Sequence, residues 1–425
     1  MELTIDKLIY GGDGLARVAS GERAKAVFVP YVLPGERVQA TIVEDKPGFS
    51  HAALDQVLAP SKLRNSPPCP YFSKCGGCHY QHIGYEDQLH FKAEILKETL
   101  RRVAKLELPV ELQSHASPPL NYRNRTRFHV CTSPGFAIGY FRHGSHDLLP
   151  IRECPISSPL INHALTELWQ FTDEQRIPLE IEEIELFANH SDDACLVEIY
   201  VNESAAEVSL RSFAEAFSRT VPAVGIVSFR NSRSFNGKPD LLWGEPKMNY
   251  AAGAEAYRVS AGAFFQTNRH LVEQMVELAV NQRKGKLALD LYSGVGLFTL
   301  PLARRFERVI AVESSTISAQ DLRASAPANV KVSIQSTEKY LTSTARKVGP
   351  DLVIVDPPRH GLGSVVCREL LKVPAKELVY VSCDPATLAR DLTQLTAGGF
   401  KIAEAHMIDL FPQTFHIETC TVLRR

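Results

Sequence analysis

Long hydrophobic runs are missing from this chain. Its 425 residues contain no stretch of about 18 consecutive apolar side chains, so no helical membrane span is expected. The opening, MELTIDKLIY, carries acids early and lacks an apolar segment, so it does not read as a signal peptide. Charge of one sign is missing too. There are 47 Lys and Arg against 48 Asp and Glu, a formal net charge of -1, so any nucleic-acid site must be a local basic cluster. The nine cysteines are an odd set in a long chain. They fit metal-binding or catalytic thiols in a reducing cytoplasm better than a disulfide scaffold. No internal repeat and no long low-complexity tract occurs. What remains is an ordinary globular composition, long enough for two to four domains and at least one large core.

Residues 1–58 read as short strands around the turn Leu33-Pro34-Gly35-Glu36. Val38, Ala40 and Ile42 alternate with Gln39 and Thr41 as in a half-buried strand. A small β-barrel is expected, of the kind that binds oligonucleotides, although such a barrel also occurs without a ligand. A proline-rich boundary then leads into a cysteine cluster. An amphipathic helix over 85–106 follows, with Ile95, Leu96, Leu100 and Val103 on one face. Residues 59–250 mix strands and helices as a central α+β domain. Residues 251–425 alternate strand and helix, which predicts a parallel sheet covered on both faces.

The segment KLALDLYSGVGLFTLPLARRFERVIAVESS reads as strand, glycine turn, helix, strand. Gly294 and Gly296 let the backbone approach a ligand at the helix start. Thr299 replaces the third glycine of a dinucleotide fingerprint, which speaks against a pyrophosphate. Glu313 ends the next strand, where a carboxylate can hold both ribose hydroxyls. A nucleoside without a pyrophosphate fits, and S-adenosylmethionine is the common case. Asp356, before Pro357-Pro358-Arg359, and Cys383 also fall at strand ends, where open α/β sheets bind ligands.

Cys383, in VSCDPATLARDL, is either a small buried hydrophobe or a nucleophile. The second reading specifies a chemistry. Carbon 5 of uracil is a poor nucleophile until a thiolate adds to carbon 6. Carbon 5 can then attack an electrophilic methyl, after which a base removes its proton and the thiol leaves. Glu418, in FPQTFHIETC, is the candidate base, and His416 is a second. Glu418 alone reads more often as a surface carboxylate.

Cys69, Cys75 and Cys78 are spaced C-x5-C-x2-C, and Cys154, also followed by proline, completes a set of four. The pattern leaves zinc and an iron–sulfur cluster both open. Cys131, Cys195, Cys367 and Cys420 read as core residues. In NYRNRTRFHV, a strand would put Arg123, Arg125 and Arg127 on one face, suited to RNA phosphates. The alternative is a solvated face. Arg142, His143 and Arg152 add local positive charge.

Nearly end to end, the chain resembles the RNA uracil-5-methyltransferases that act on tRNA and 23S ribosomal RNA. The motifs that carry the resemblance are CPYFSKCGGCHYQHIGYEDQLHFK, FFQTN, DLYSGVGLFTL, DPPRHGL, VSCDPATLARDL and FPQTFHIET, in that order. It implies a TRAM/OB-like barrel, a central α+β domain with a 4Fe-4S cluster on the four cysteines, and a Rossmann-like class I methyltransferase domain. It implies Cys383 as nucleophile and Glu418 as base. It puts Gln266, Tyr292, Glu313 and Asp356 at the cofactor and uracil site, with Phe264 against a flipped base. Ser336 lies where an Asn or Asp is expected to touch the adenosine. Asp384 stands for a more usual asparagine, which would raise the thiol's pKa if unscreened. Leu297 is a third departure. Arg359 is counted with the RNA contacts. An amino-group methyltransferase is the first rival, but it needs no Cys383. A non-catalytic RNA-binding factor is the second. The expected partner is RNA, 23S rRNA ahead of tRNA, bound by a cytoplasmic monomer.

Overall fold

The structure is a computed structural model and describes residues 1–20, 23–132, 135–230, 239–343 and 349–425. At the N-terminus, Glu2–Leu8, Asp13–Ser20, Arg23–Pro30, Phe49–Ala59 and Arg37–Asp45 close into a barrel in that order. Alternate residues Leu3, Ile5, Val27, Val29, Val38 and Ala40 fill it, as the two-residue period of a strand requires. Ile42 does not continue the series and is 37% exposed. A bulge between Ile42 and Glu44 shifts the pairing with Phe49–Ala59 and interrupts the alternation there. The expected turn forms with Gly35 at φ +81. Buried Glu36 accepts from Leu33 N–H at 2.8 Å and is gripped by Arg64 Nε and Nη2 at 2.6 and 2.7 Å. This two-pronged pair ties the barrel to the segment that follows it.

A seven-stranded sheet forms the central unit, in the order Asp240–Gly244, Ala223–Arg230, Cys195–Val201, Ile181–Ala188, Arg125–Cys131, Ala137–Phe141 and Leu148–Pro150. Helices Pro159–Asp173 and Glu207–Phe217 bury Leu165, Leu168, Phe213 and Phe217 with residues of this sheet in one cluster. Of the four cysteines read as core, Cys195, Cys367 and Cys420 are buried. Cys131, at the end of its strand, is only half-buried.

The third sheet has eight strands: Val330–Ile334, Phe306–Glu313, Gly285–Leu291, Leu352–Val355, Glu377–Ser382, Glu418–Arg424, Lys401–Ile408 and Leu112–His115. The first five run parallel. Glu418–Arg424 is antiparallel to both of its neighbours. This is the class I methyltransferase arrangement. Its central strands, such as Leu352–Val355, are buried at every position, because helices cover both faces.

The edge strand Leu112–His115 comes from the stretch read as central domain, and it pairs with Ala405–Ile408. The helix before it, Tyr85–Thr99, joins the same core through Ile95, Leu96 and Leu100. Val103 departs from the expected stripe and is 50% exposed. The chain passes into a π-helical turn over Leu100–Ala104, whose i→i+5 bonding changes the facing of each residue. Among the described residues, no helix is long and apolar enough to cross a membrane.

Candidate active site

Three neighbouring strands end at one place. Asp356 follows Leu352–Val355, Cys383 follows Glu377–Ser382, and Glu418 begins the strand antiparallel to it, where Thr419 pairs with Ser382. Thr419 Oγ1 donates to Ser382 O at 3.1 Å and closes the sheet beside Cys383. Helix Pro385–Ala397 then organises the Asp356 loop. Thr387 Oγ1 donates to Arg359 O at 3.2 Å and Arg390 Nη2 to His360 O at 2.8 Å. Buried Asp391 accepts from Leu362 N–H at 2.7 Å and Tyr380 O–H at 2.8 Å. The Cys383 and Asp356 loops are thus one unit.

Burial pushes the half-buried Cys383 thiol up to about 12, with Glu418 and Asp356 adding to the rise and Arg359 opposing it. Burial also holds the Glu418 carboxyl well above its usual range, with Asp356 adding to it, and moves Asp356 to about 7. The His416 imidazole is driven down to about 3, chiefly by burial, so it is neutral. In the resting site the thiol and the Glu418 carboxyl are therefore both shifted toward their protonated forms. Asp384 has a structural role besides its charge. Its carboxylate caps helix Pro385–Ala397, accepting from Thr387 N–H at 2.8 Å, a role that asparagine would fill equally.

One measurement follows from the raised thiol. Alkylation of Cys383 in the RNA-free protein, read by peptide mass spectrometry, is expected to rise about tenfold per pH unit between 7 and 10, because only the thiolate reacts. Arg359→Ala removes the cation that favours the thiolate and should slow alkylation up to about fivefold, a modest factor because Arg359 is exposed. A flat profile, or faster alkylation in the variant, would contradict this electrostatic picture.

Next to this centre, the glycine turn lies at the carboxyl end of Gly285–Leu291. Tyr292, Gly294 and Gly296 all have positive φ, at +61, +54 and +101. A Cβ on Gly296 would meet Leu322 Cδ1 at 2.4 Å, so only glycine packs there. Glu313 accepts from Gly294 N–H at 2.8 Å and Ser315 N–H at 2.6 Å, which aims its carboxylate. Ser293 Oγ and Asp290 Oδ1 are buried without a hydrogen-bond partner. Neither was singled out in the sequence, although both lie inside DLYSGVG. Leu297 is a core residue whose carbonyl accepts from Tyr257 O–H at 3.1 Å. Ser336 is exposed, and its hydroxyl accepts from Lys339 N–H at 3.3 Å.

Gln266 is buried, whereas Phe264 is 65% exposed between buried Ala263 and Phe265. The expected basic face does not form beside this loop. Arg125, with 12% of its side chain exposed, is ion-paired with Glu185 and bonded to Glu198 at 3.3 Å, and it donates to Ala263 O at 2.6 Å. Arg127 donates to Glu185 at 2.7 Å, Glu183 at 3.0 Å and Tyr200 O–H at 2.8 Å. Strand Ile181–Ala188 sets Glu185 directly opposite Arg127 and Glu183 opposite His129. Local charge counting missed these acidic partners because they lie 56–73 residues away. The pairs instead hold the FFQTN loop, since Glu198 also accepts from Gly262 N–H at 3.0 Å. Arg123 is half-buried and donates to Arg125 O at 3.0 Å. Arg152 packs its guanidinium 3.8 Å from the Trp169 ring.

Cys69, Cys75, Cys78 and Cys154 line one cavity of about 350 Å³, together with Arg123 and Arg142. Gln81 Oε1 accepts from Cys69 N–H at 3.1 Å, and Asn162 Oδ1 from Cys154 N–H at 2.8 Å. Burial raises the Cys75 thiol to about 11 and pushes Cys78 higher, with the other cluster thiols adding to both. Among the described residues, no group of three or more His, Cys, Asp or Glu side chains is drawn together to hold a metal ion.

Comparison with known proteins agrees with this geometry. Residues 84–425 match the family model for tRNA (uracil-5-)-methyltransferases, and residues 1–54 match the TRAM domain. An RNA methyltransferase of Aquifex aeolicus described as uncharacterized is 32% identical, covering 100% of this chain and 98% of its own. The 23S rRNA (uracil(1939)-C(5))-methyltransferase RlmD of Halomonas elongata is 32% identical over 99% of this chain and 89% of its own. Among solved structures, the Pyrococcus abyssi tRNA (uracil-54, C5)-methyltransferase with S-adenosyl-L-homocysteine superimposes with a TM-score of 0.77. It is 25% identical, and the match covers the whole of both chains.

Proposed function

Because the chain belongs to the tRNA (uracil-5-)-methyltransferase family, we propose that it methylates carbon 5 of a uridine in RNA. The observation that carries this reading is the meeting of Cys383, Glu418 and Asp356 at adjacent strand ends. Amino-group transfer needs no such thiol, and a binding factor needs no buried base. S-adenosylmethionine would supply the methyl group. The residues suited to hold it are Gln266, Tyr292, Gly294, Gly296, Glu313 and Asp356, with Ser336 at the rim. The aimed Glu313 carboxylate and the unpartnered Ser293 hydroxyl fit a polar nucleoside ligand there.

Cys383 adds to carbon 6 of the target uracil, and Glu418, once ionised, takes the proton from carbon 5 after transfer. His416 is the less suited base, because its strongly depressed pKa makes it a weak proton acceptor. Exposed Phe264 offers its face to the flipped base and so offsets part of the unstacking cost. Arg359, exposed beside the nucleophile, serves the RNA and the thiolate. Arg123 takes a place in the wall of the cysteine cavity.

The four cysteines would hold a 4Fe-4S cluster, which orders the central unit where RNA docks. A shared cavity of about 350 Å³ suits a cluster. Zinc on the same four cysteines is the alternative. The substrate is 23S rRNA in this reading, with tRNA as the second. The Halomonas relative favours the first and the Pyrococcus structure the second. A monomer working in the cytoplasm completes the proposal.

The test offers anaerobically purified protein and methyl-labelled S-adenosylmethionine to unmodified 23S rRNA and, separately, to unmodified tRNA. Label in 5-methyluridine from one RNA, lost in Cys383→Ala, is the expected result. Label in a methylated amino group, or label surviving in Cys383→Ala, would overturn it.

A further inference from the structure

The helix Tyr85–Thr99 carries Gln88, Lys92 and Leu96 at four-residue spacing, so all three face one way. All three are buried. A lysine on a buried stripe costs desolvation unless its charge is engaged. Lys92 Nζ donates to Asp409 Oδ1 at 2.7 Å and to Phe411 O at 3.0 Å. One turn earlier, Gln88 brackets Gln413: its Oε1 accepts from Gln413 N–H at 3.0 Å, and its Nε2 donates to Gln413 Oε1 at 2.9 Å. The remaining carbonyls of this loop are taken up from elsewhere in the fold. Leu410 O accepts from Asn268 at 3.0 Å and Pro412 O from Tyr122 O–H at 3.0 Å. Gln413 sits at φ +68, a backbone conformation that side-chain-bearing residues adopt rarely. Every carbonyl from Leu410 to Gln413 is accounted for, since Gln413 O accepts from His79 and Tyr80 N–H at 2.8 and 3.0 Å.

This loop joins the last two strands of the catalytic sheet. Asp409 directly follows Ile408, and Ile408 is the residue paired opposite Glu418. The anchors of Lys92 and Gln88 therefore fix both the strand beside Glu418 and the loop that delivers it. Cys383 follows another strand, Glu377–Ser382, and among the described residues no hydrogen bond joins it to either side chain. We infer that Lys92 and Gln88 are positioning residues for Glu418, acting on the proton-removal step and not on thiol addition. The inference rests on the proposed uracil methylation. In that step the carbon 5 proton passes to the Glu418 carboxylate. The C–H electron pair becomes the 5,6 double bond, the carbon 6–sulfur bond breaks, and Cys383 leaves as thiolate.

The experiment compares wild type, Lys92→Met and Gln88→Leu on two RNAs with labelled S-adenosylmethionine, resolved on denaturing gels. One RNA carries uridine. The other carries 5-fluorouridine, which has no carbon 5 proton to remove and so traps any enzyme whose nucleophile works. All three proteins are expected to trap the fluorinated RNA alike. On the uridine RNA, wild type turns over, while the variants accumulate a methylated covalent adduct and turn over about 10²-fold more slowly, the cost of a base misplaced by about 1 Å. Variants that turn over like wild type would overturn the inference. So would variants that trap the fluorinated RNA but stall without adduct on uridine RNA. If both variants fail even to trap, the helix supports the whole site and the inference is again wrong. If wild type itself neither methylates nor traps, the uracil reading has failed instead.

Discussion

Glu418→Gln is expected to stop the reaction after the methyl group has moved. The glutamine keeps the shape of the side chain but cannot accept the carbon 5 proton, so turnover should fall by about 10²–10⁴-fold, the usual worth of a general base. Cys383 would stay bonded to carbon 6 of the methylated ring, and a covalent RNA–protein band carrying methyl label should build up. Cys383→Ala is the opposite case, with neither turnover nor band, because nothing adds to the ring. The two variants separate the two proposed steps, whose residues lie at adjacent strand ends. A Glu418→Gln protein that releases 5-methyluridine at the wild-type rate would show that another group, His416 first among them, removes the proton.

Arg125→Met should be the most damaging change outside the reacting groups. Arg125 is the shared partner of Glu185 and Glu198, both buried. Removing one member of a buried ion pair leaves uncompensated charge and typically costs about 3–5 kcal/mol. The same side chain donates to Ala263 O at 2.6 Å, so the Phe264 and Gln266 loop should loosen as well. The urea unfolding midpoint and the salt dependence of RNA binding decide the matter together. A buried structural arginine lowers the midpoint and leaves the salt slope unchanged. A phosphate contact leaves the midpoint alone and reduces the slope by about one.

These two cases divide what could be read from the chain. The motifs of the proposed site could be picked out because each is short and local. A glycine turn, an acid about 20 residues on, Asp-Pro-Pro after an apolar strand, and a cysteine at a strand exit each need only their neighbours to be recognised. The barrel was legible for the same reason, since alternation along one strand reports its buried face. The departures all involve partners distant in sequence or irregular backbone. The Arg125 and Arg127 stretch looked acid-free because its acids lie on another strand. Val103 left the helical stripe through a π-helical turn, and Ile42 left the strand pattern through a bulge.

The strongest signal left unread was Gln88 and Lys92 on the stripe that continues to Leu96 and Leu100. Polar residues on an apolar face announce buried partners without naming them. The sequence by itself determined the N-terminal barrel, the alternating strand–helix pattern of the C-terminal half and which residue types are candidates for chemistry, because propensity, period and motif are local properties. Tertiary structure decided which charges meet, how the Leu112–His115 strand joins the catalytic sheet, and what holds the loop before Glu418. Those depend on contacts across as many as 325 residues, and no local pattern encodes them.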